Sequence, residues 1–342
     1  MNRTILVTGG LGYIGSHTII ELLQEGYNVV CLDNLQNSNI NVIKKIEKIT
    51  NKTFDYYNVN VCDIDEINKC LIKYEFIDGI IHFAAFKSVS ESIQLPIKYY
   101  ENNIMSLLNV IKIATQFKSN IVFSSSCTIY GESLKFPLTE DEEGVLPKSP
   151  YGNTKKICEE ILVDFSKSEN INITSLRYFN PVGAHFSGEI GETPSVIPQN
   201  LIPYLTETAI GIREQLVIFG NDYDTFDGTC IRDFIHVSDV AIAHIAAIKY
   251  MSNVLNKKKY DIFNIGRGVG VSIKQVVERF IELTGEKLNY CYGNRRSGDI
   301  IESWASCEKA EMYLGWKAKY SLDEIINSAW LWQKNLSKND AK

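Results

Sequence analysis

The stretch Arg3-Thr4-Ile5-Leu6-Val7-Thr8-Gly9-Gly10-Leu11-Gly12-Tyr13-Ile14-Gly15-Ser16-His17 leaves this chain few folds to choose from. Arg3 to Thr8 reads as a buried strand, and the residues after the glycines read as a helix through Gln24. Glycines at 9, 12 and 15, with Gly10 giving G-x-G-x-x-G as well, let the chain turn tightly and bring bare backbone N–H groups against a pyrophosphate. The helix N-terminus adds a favourable field for that anion. A glycine pattern alone is weak, but here a second strand follows, Asn28-Val29-Val30-Cys31-Leu32, and ends in Asp33. A carboxylate about 20 residues past the glycines accepts hydrogen bonds from an adenosine ribose. It would also repel a 2′-phosphate, so the expected cofactor is NAD rather than NADP.

The alternation continues. Strands are expected at 54–59, 77–83 and 120–125, with helices near 63–74 and 98–117. Near-continuous apolar strands alternating with helices predict the α/β class: a Rossmann-type, doubly wound parallel sheet. Ligands in such sheets bind at the carboxyl ends of the strands. That rule puts Asp63 and Ile64 by the adenine end and the His82–Lys87 segment by the middle of the cofactor. It puts Ser124-Ser125-Ser126, at the end of strand five, near the reactive end. Ser149 and Pro150 then suit the N-cap and first position of a helix. Tyr151 and Lys155 share one face of that helix, and a lysine beside a phenol favours the phenolate, a base at neutral pH.

After residue 170 the texture changes. A strand at 172–177 leads through Arg177-Tyr178-Phe179-Asn180-Pro181-Val182-Gly183 into a long Gly-, Pro- and Ser-rich loop, then a helix over 196–211 and a strand over 216–219. Arg232 and the Arg295–Asp299 segment suggest phosphate recognition. A helix from Ser238 and a strand at 260–265 follow, and the residues from Ser337 read as a frayed polar end. The expected division is a dinucleotide-binding domain over 1–180, with some return of later segments, and a smaller C-terminal α/β substrate-binding domain over 181–342.

Composition narrows the partners. The net charge of −6 offers no pull toward nucleic acid or an anionic membrane, and no apolar run approaches the ~20 residues of a membrane span. Eight cysteines without a Cys-x-x-Cys pair suggest free thiols in a reducing compartment, hence a cytoplasmic location. The five histidines lack metal-ligand spacing, and His17, His82 and His244 read as structural; no metal is expected.

Together these blocks resemble the extended short-chain dehydrogenase/reductase family, and within it the 4-epimerases of UDP-glucose and UDP-galactose. The matching residues are Thr8–His17, Asp33-Asn34-Leu35, Ser124–Ser126 with Thr128, Ser149–Lys155, Arg177–Ala184, Phe219–Tyr223 and Arg295–Asp299, in order along essentially the whole chain. The resemblance implies Ser126, Tyr151 and Lys155 as the catalytic trio. It implies that Gly9, Gly12, Tyr13, Ile14, Gly15, Asp33, Asn34, Asn37, Ser38, Asp63, Ile64, Phe83, Ala84, Lys87, Asn102, Ser124 and Tyr178 hold NAD beside Tyr151 and Lys155. It implies that Ser126, Asn180, Asn200, Leu201, Phe219, Arg232, Arg296, Asp299 and Ser303 line a UDP-sugar pocket. A homodimer through the helices near 98–117 and 151–168 is also implied.

By the same resemblance, Tyr151 takes the 4-OH proton while C4 gives its hydride to NAD, and a turned 4-keto sugar receives both back. The substrate pair is UDP-glucose and UDP-galactose. Two positions depart from the pattern. Phe234 stands where many relatives have Tyr. Ser303 stands where the family carries Tyr or Cys, which would leave room for an N-acetyl group and so admit UDP-GlcNAc and UDP-GalNAc. Nucleotide-sugar 4,6-dehydratases need an Asp-Glu pair after the strand-five Ser/Thr; Cys127 and Thr128 occupy those places and speak against that reaction.

Overall fold

The protein is described by a computed structural model covering residues 3–133, 135–142, 146–193, 200–253, 259–296 and 299–340. Seven strands make one sheet: β1 (Thr4–Thr8), β2 (Asn28–Leu32), β3 (Asp55–Tyr57), β4 (Gly79–His82), β5 (Asn120–Ser126), β6 (Ile173–Tyr178) and β7 (Tyr260–Ile265). Their order is β7-β6-β5-β4-β1-β2-β3, and every pairing is parallel. The order reverses between β1 and β4, which opens a crevice at their carboxyl ends.

Alternation along the strands builds a core on each face. Ile5 and Val7 join one cluster with Ile19 and Ile20 of the Tyr13–Gln24 helix and Val240 of the Val237–Met251 helix. Leu6 points the other way, into a cluster with Leu107 of the Pro96–Phe117 helix and Leu162 of the Pro150–Ser168 helix. All three strand residues are fully buried, so apolar side chains on both faces account for the unbroken strand pattern.

Past β6 the strands are short. Asn180–Val182 pairs with Phe234–His236, and Leu216–Phe219 pairs with Tyr290–Gly293. Ile231–Arg232 lies between Val271–Ser272 and Glu302–Ser303. The Leu201–Ala209, Ile273–Thr284 and Leu322–Asp340 helices pack on these strands around Leu205, Leu216, Phe280, Ile326 and Trp330. The Val237–Met251 helix and β7 come from this half of the sequence yet complete the seven-stranded layer.

Several elements differ from the sequence reading. The helix expected over 196–211 is Leu201–Ala209, and residues 196–199, like Gly298 of the second arginine segment, lie outside the described residues. The Asn41–Thr50 helix went unread, although Val42, Ile43, Ile46 and Ile49 carry its apolar stripe. The end from Ser337 is not frayed: the last helix runs on to Asp340, and Ser337 Oγ donates to the Gln333 carbonyl at 3.1 Å. Burial of Ile325, Ile326 and Trp330 anchors that helix, and its polar end follows cooperatively.

Candidate active site

The crevice begins at Gly9, whose φ of +67° is strained for any side chain. A Cβ there would stand 2.7 Å from the Ala84 nitrogen, and one on Gly15 would stand 2.4 Å from the Gly9 carbonyl oxygen. The turn after β1, the start of the Tyr13–Gln24 helix and the loop after β4 therefore close on one another only because side chains are missing. Gly12, the N-cap, leaves the first N–H groups without a side-chain cap, which suits an anion. Asp33, just past β2, is set beside this turn. Its carboxylate accepts from Leu11 N at 3.0 Å, Leu35 N at 2.9 Å and Ser38 Oγ at 2.7 Å. Asn34 and Asn37 lie exposed on the same loop. Asp63 caps the Ile64–Leu71 helix, accepting from Glu66 N at 3.1 Å, and the Cys62 thiol faces Asn102 Oδ1 at 3.7 Å. A bare cradle, an orphaned helix start and an oriented carboxylate fit a dinucleotide.

At the other end, β5 delivers its serines to the Pro150–Ser168 helix. Ser149 caps that helix through Gly152 N at 3.1 Å. A Cβ on Gly152 would sit 2.9 Å from the Thr128 carbonyl oxygen, so this glycine lets the helix start rest on the turn after β5. Lys155, 3 % exposed, donates to the Ser124 carbonyl at 2.6 Å and lies 5.9 Å from the centre of the Tyr151 ring. Burial pushes the Tyr151 phenol up to about 12, against a downward pull from the Ser126 hydroxyl. Burial also lowers the Lys155 ammonium to about 8, with Cys158 and Glu159 opposing. The trio foreseen from the sequence is thus assembled in one place, but the chain's own groups leave the phenol protonated at neutral pH.

The remaining expected residues divide. Phe83 meets His244 at a tilt with ring centres 4.7 Å apart, and Tyr178 is buried with its hydroxyl on His244 Nε2. Tyr13 donates to the Gly183 carbonyl at 2.6 Å and so ties the glycine helix to the loop after β6. Ile14 packs at the edge of the first core cluster and Ile64 at the edge of the second. The structural reading of the histidines holds for His82, which meets Thr8 Oγ1 at 2.7 Å, and for His244. Lys87 points to Glu192 at 2.9 Å, and Asn200 reaches the same carboxylate at 3.1 Å. Glu192 was not anticipated, because its position has no meaning until the loop carrying it folds between those two partners.

Arg232 is braced by the Ile231 carbonyl at 2.8 Å and the Ile300 carbonyl at 2.7 Å. Arg296 pairs with Asp299 at 2.7 Å and lies over the Phe219 ring at 5.6 Å. Asp299 also stands 4.0 Å from Arg232, so the two arginine segments do converge. Ser303 pairs in register with Arg232, is buried, and its hydroxyl lies beside the Cys127 thiol. Asn180 begins the short strand beside Phe234, and Leu201 starts the next helix.

A parallel sheet with a glycine cradle at its switch point, and a Tyr-x-x-x-Lys helix against its fifth strand, defines an extended short-chain dehydrogenase/reductase. Comparison with known proteins agrees. The family model described as GDP-mannose 4,6 dehydratase matches residues 6–329. The chain is 43% identical over 333 residues to the UDP-glucose 4-epimerase of Bacillus subtilis (strain 168), covering 97% of each. It matches the structure of the UDP-glucose-4-epimerase from Stenotrophomonas maltophila, with bound NAD and formylated UDP-arabinopyranose, at a TM-score of 0.94 and 37% identity. That match covers 99% of this chain and 100% of the other. The UDP-Glc/GlcNAc 4-epimerase of Campylobacter jejuni matches at 0.83 and 35% identity, covering 98% and 100%. The chain belongs to the UDP-glucose 4-epimerase family.

Proposed function

We propose that this protein interconverts UDP-glucose and UDP-galactose at C4. The observation that carries the reading is the meeting of Tyr151, Lys155 and Ser126 beside the dinucleotide cradle, with two braced arginines on the short strand Ile231–Arg232 and the segment at Arg296. Bound NAD supplies a hydride acceptor and donor for C4. Tyr151 removes and returns the proton of the 4-OH, Lys155 favours its phenolate, and Ser126 hydrogen-bonds the C4 oxygen or the shared proton. The cradle residues named from the sequence, Gly9 to Tyr178, hold the cofactor. Arg232 and Arg296 hold the diphosphate, and Asn180, Asn200, Leu201, Phe219 and Asp299 complete the pocket. Anchoring the nucleotide while holding the hexose loosely lets the keto sugar turn over.

Ser303 supports a wider substrate range. A serine there fills less of the pocket wall than a tyrosine ring would, and the relative from Campylobacter jejuni is named for UDP-GlcNAc as well as UDP-Glc. UDP-GlcNAc and UDP-GalNAc are therefore proposed as a second pair. The functional division is a cofactor domain over 1–180, completed by β7 and the Val237–Met251 helix, and a sugar-nucleotide domain over 181–342. Ile97 and Met105, exposed on the Pro96–Phe117 helix, support a homodimer through that helix and the Pro150–Ser168 helix. Eight unpaired cysteines support a cytoplasmic location, and no described helix is long and apolar enough to cross a membrane. The test is incubation of the purified protein with UDP-galactose, without added cofactor, followed by separation of the sugar nucleotides. UDP-glucose should form to equilibrium; a mixture that stays unchanged would overturn the reading.

A further inference from the structure

Behind the Tyr151–Lys155 face lies a buried charged pair that this chemistry does not use. Glu159 stands one helical turn past Lys155 and is 6 % exposed, and Arg177, on β6, is 8 % exposed. The guanidinium grips the carboxylate in two places, Nε to Oε1 at 3.0 Å and Nη2 to Oε2 at 2.6 Å. Oε1 also accepts from Ser125 Oγ at 2.5 Å. Arg177 Nη1 donates to the Tyr130 hydroxyl at 2.9 Å and the Glu140 carbonyl at 3.3 Å. Burial works against the Arg177 charge, but the Glu159 hydrogen bonds outweigh it and keep the guanidinium protonated.

Stability is a poor reason for such a pair, since apolar side chains of similar volume commonly serve a core as well or better. Its geometry offers a better one. Alternation puts Ser125 on the face of β5 opposite Ser124 and Ser126. Clamping the Ser125 hydroxyl therefore sets the rotation of the strand end. That rotation aims the Ser124 carbonyl, which receives Lys155 Nζ at 2.6 Å, and the Ser126 hydroxyl, which meets Tyr151. Because Glu159 is on the Tyr151–Lys155 helix, one carboxylate ties helix and strand into a single register.

We propose that Glu159, held by Arg177, is a positioning residue for epimerisation: it locks Ser126 and Lys155 to Tyr151 and keeps an anion beside the Lys155 ammonium. The proposal rests on the epimerase reading above. The groups facing Lys155 are Tyr151, Cys158 and Glu159 on its own helix, His82 on β4, and the Phe123 ring and Ser124 carbonyl on β5. Glu159 is the one carboxylate among them.

The experiment measures kcat and KM for UDP-galactose against pH, on the protein as purified with its nucleotide. Glu159→Gln should lower kcat about tenfold or more, as sub-ångström displacement of reacting groups does, and leave KM unchanged. It should also move the alkaline limb of kcat to lower pH, because the ammonium has lost its anion. A merely structural role would not move that limb. Ser125→Ala, which leaves the ion pair intact, should lower kcat several-fold with unchanged KM, and Ser125→Thr should restore it. Undiminished kcat in folded Glu159→Gln, or a loss with an unmoved alkaline limb, overturns the proposal. If Glu159→Gln does not fold, unchanged kcat in Ser125→Ala overturns it. An inactive wild type would instead refute the epimerase reading, so the two failures are distinguishable.

Discussion

Replacing Lys155 by methionine keeps the bulk of the side chain and removes one positive charge 5.9 Å from the centre of the Tyr151 ring. At an effective dielectric of about 20, Coulomb's law gives about 3 kcal/mol for unit charges at that separation, or about 2 pH units on the phenol. The starting point matters. In the chain alone burial pushes the phenol up to about 12 and the ammonium down to about 8, so the lysine would lose its proton first. A further positive charge in the groove is needed for a phenolate at neutral pH, and the oxidised nicotinamide of bound NAD carries one. In the protein as purified with its nucleotide, the phenolate absorbance of Tyr151 can be isolated by subtracting a Tyr151→Phe titration, which cancels the other tyrosines. Lys155→Met should shift that titration upward by about 2 units and cut the phenolate fraction at neutral pH by up to about a hundredfold. An unchanged midpoint would show that the lysine does not act through its charge, and the reasoning would fail.

Burial holds His17, His82 and His244 down to about 3, well below the ~6.5 of an unfolded histidine. Their contribution is complete above about 6.5 and is lost as pH falls toward 3, at up to ~1.4 kcal/mol per pH unit for each. Urea midpoints should therefore drop between pH 7 and pH 5, and flat midpoints would refute the assignment. Gly15→Ala puts a Cβ 2.4 Å from the Gly9 carbonyl oxygen, so the purified variant should lose most of its bound NAD, measured as nucleotide released on denaturation. Full retention would show that the cradle is not the cofactor site. Ser303→Tyr should abolish activity on UDP-GalNAc while sparing UDP-galactose, and equal N-acetyl activity in both forms would defeat the steric argument.

Much of the sheet was legible because its signals are local. Apolar runs mark β1, β2, β5 and β7 within a residue or so, and Ser149-Pro150 marks a helix start through its own backbone chemistry. The Asn41–Thr50 and Val89–Gln94 helices were missed because short amphipathic stretches compete with loop readings until a surface exists to bury them. The end from Ser337 reads as frayed for the reverse reason, since its helical order follows from burial earlier in the Leu322–Asp340 helix.

What the linear order of residues determined is the chemistry on offer: glycines that no side chain can replace, an acid after the second strand, and a phenol and an amine one helical turn apart. Each depends on neighbours within a few residues, so distance along the chain is enough. Only the tertiary structure decided that the Tyr151 phenol is pushed up and the Lys155 ammonium down, that Glu192 stands between Lys87 and Asn200, and that Glu159 and Arg177 close a buried pair around Ser125. These depend on which surfaces exclude water and which distant segments meet, and neither is defined before the sheet and its helices have packed.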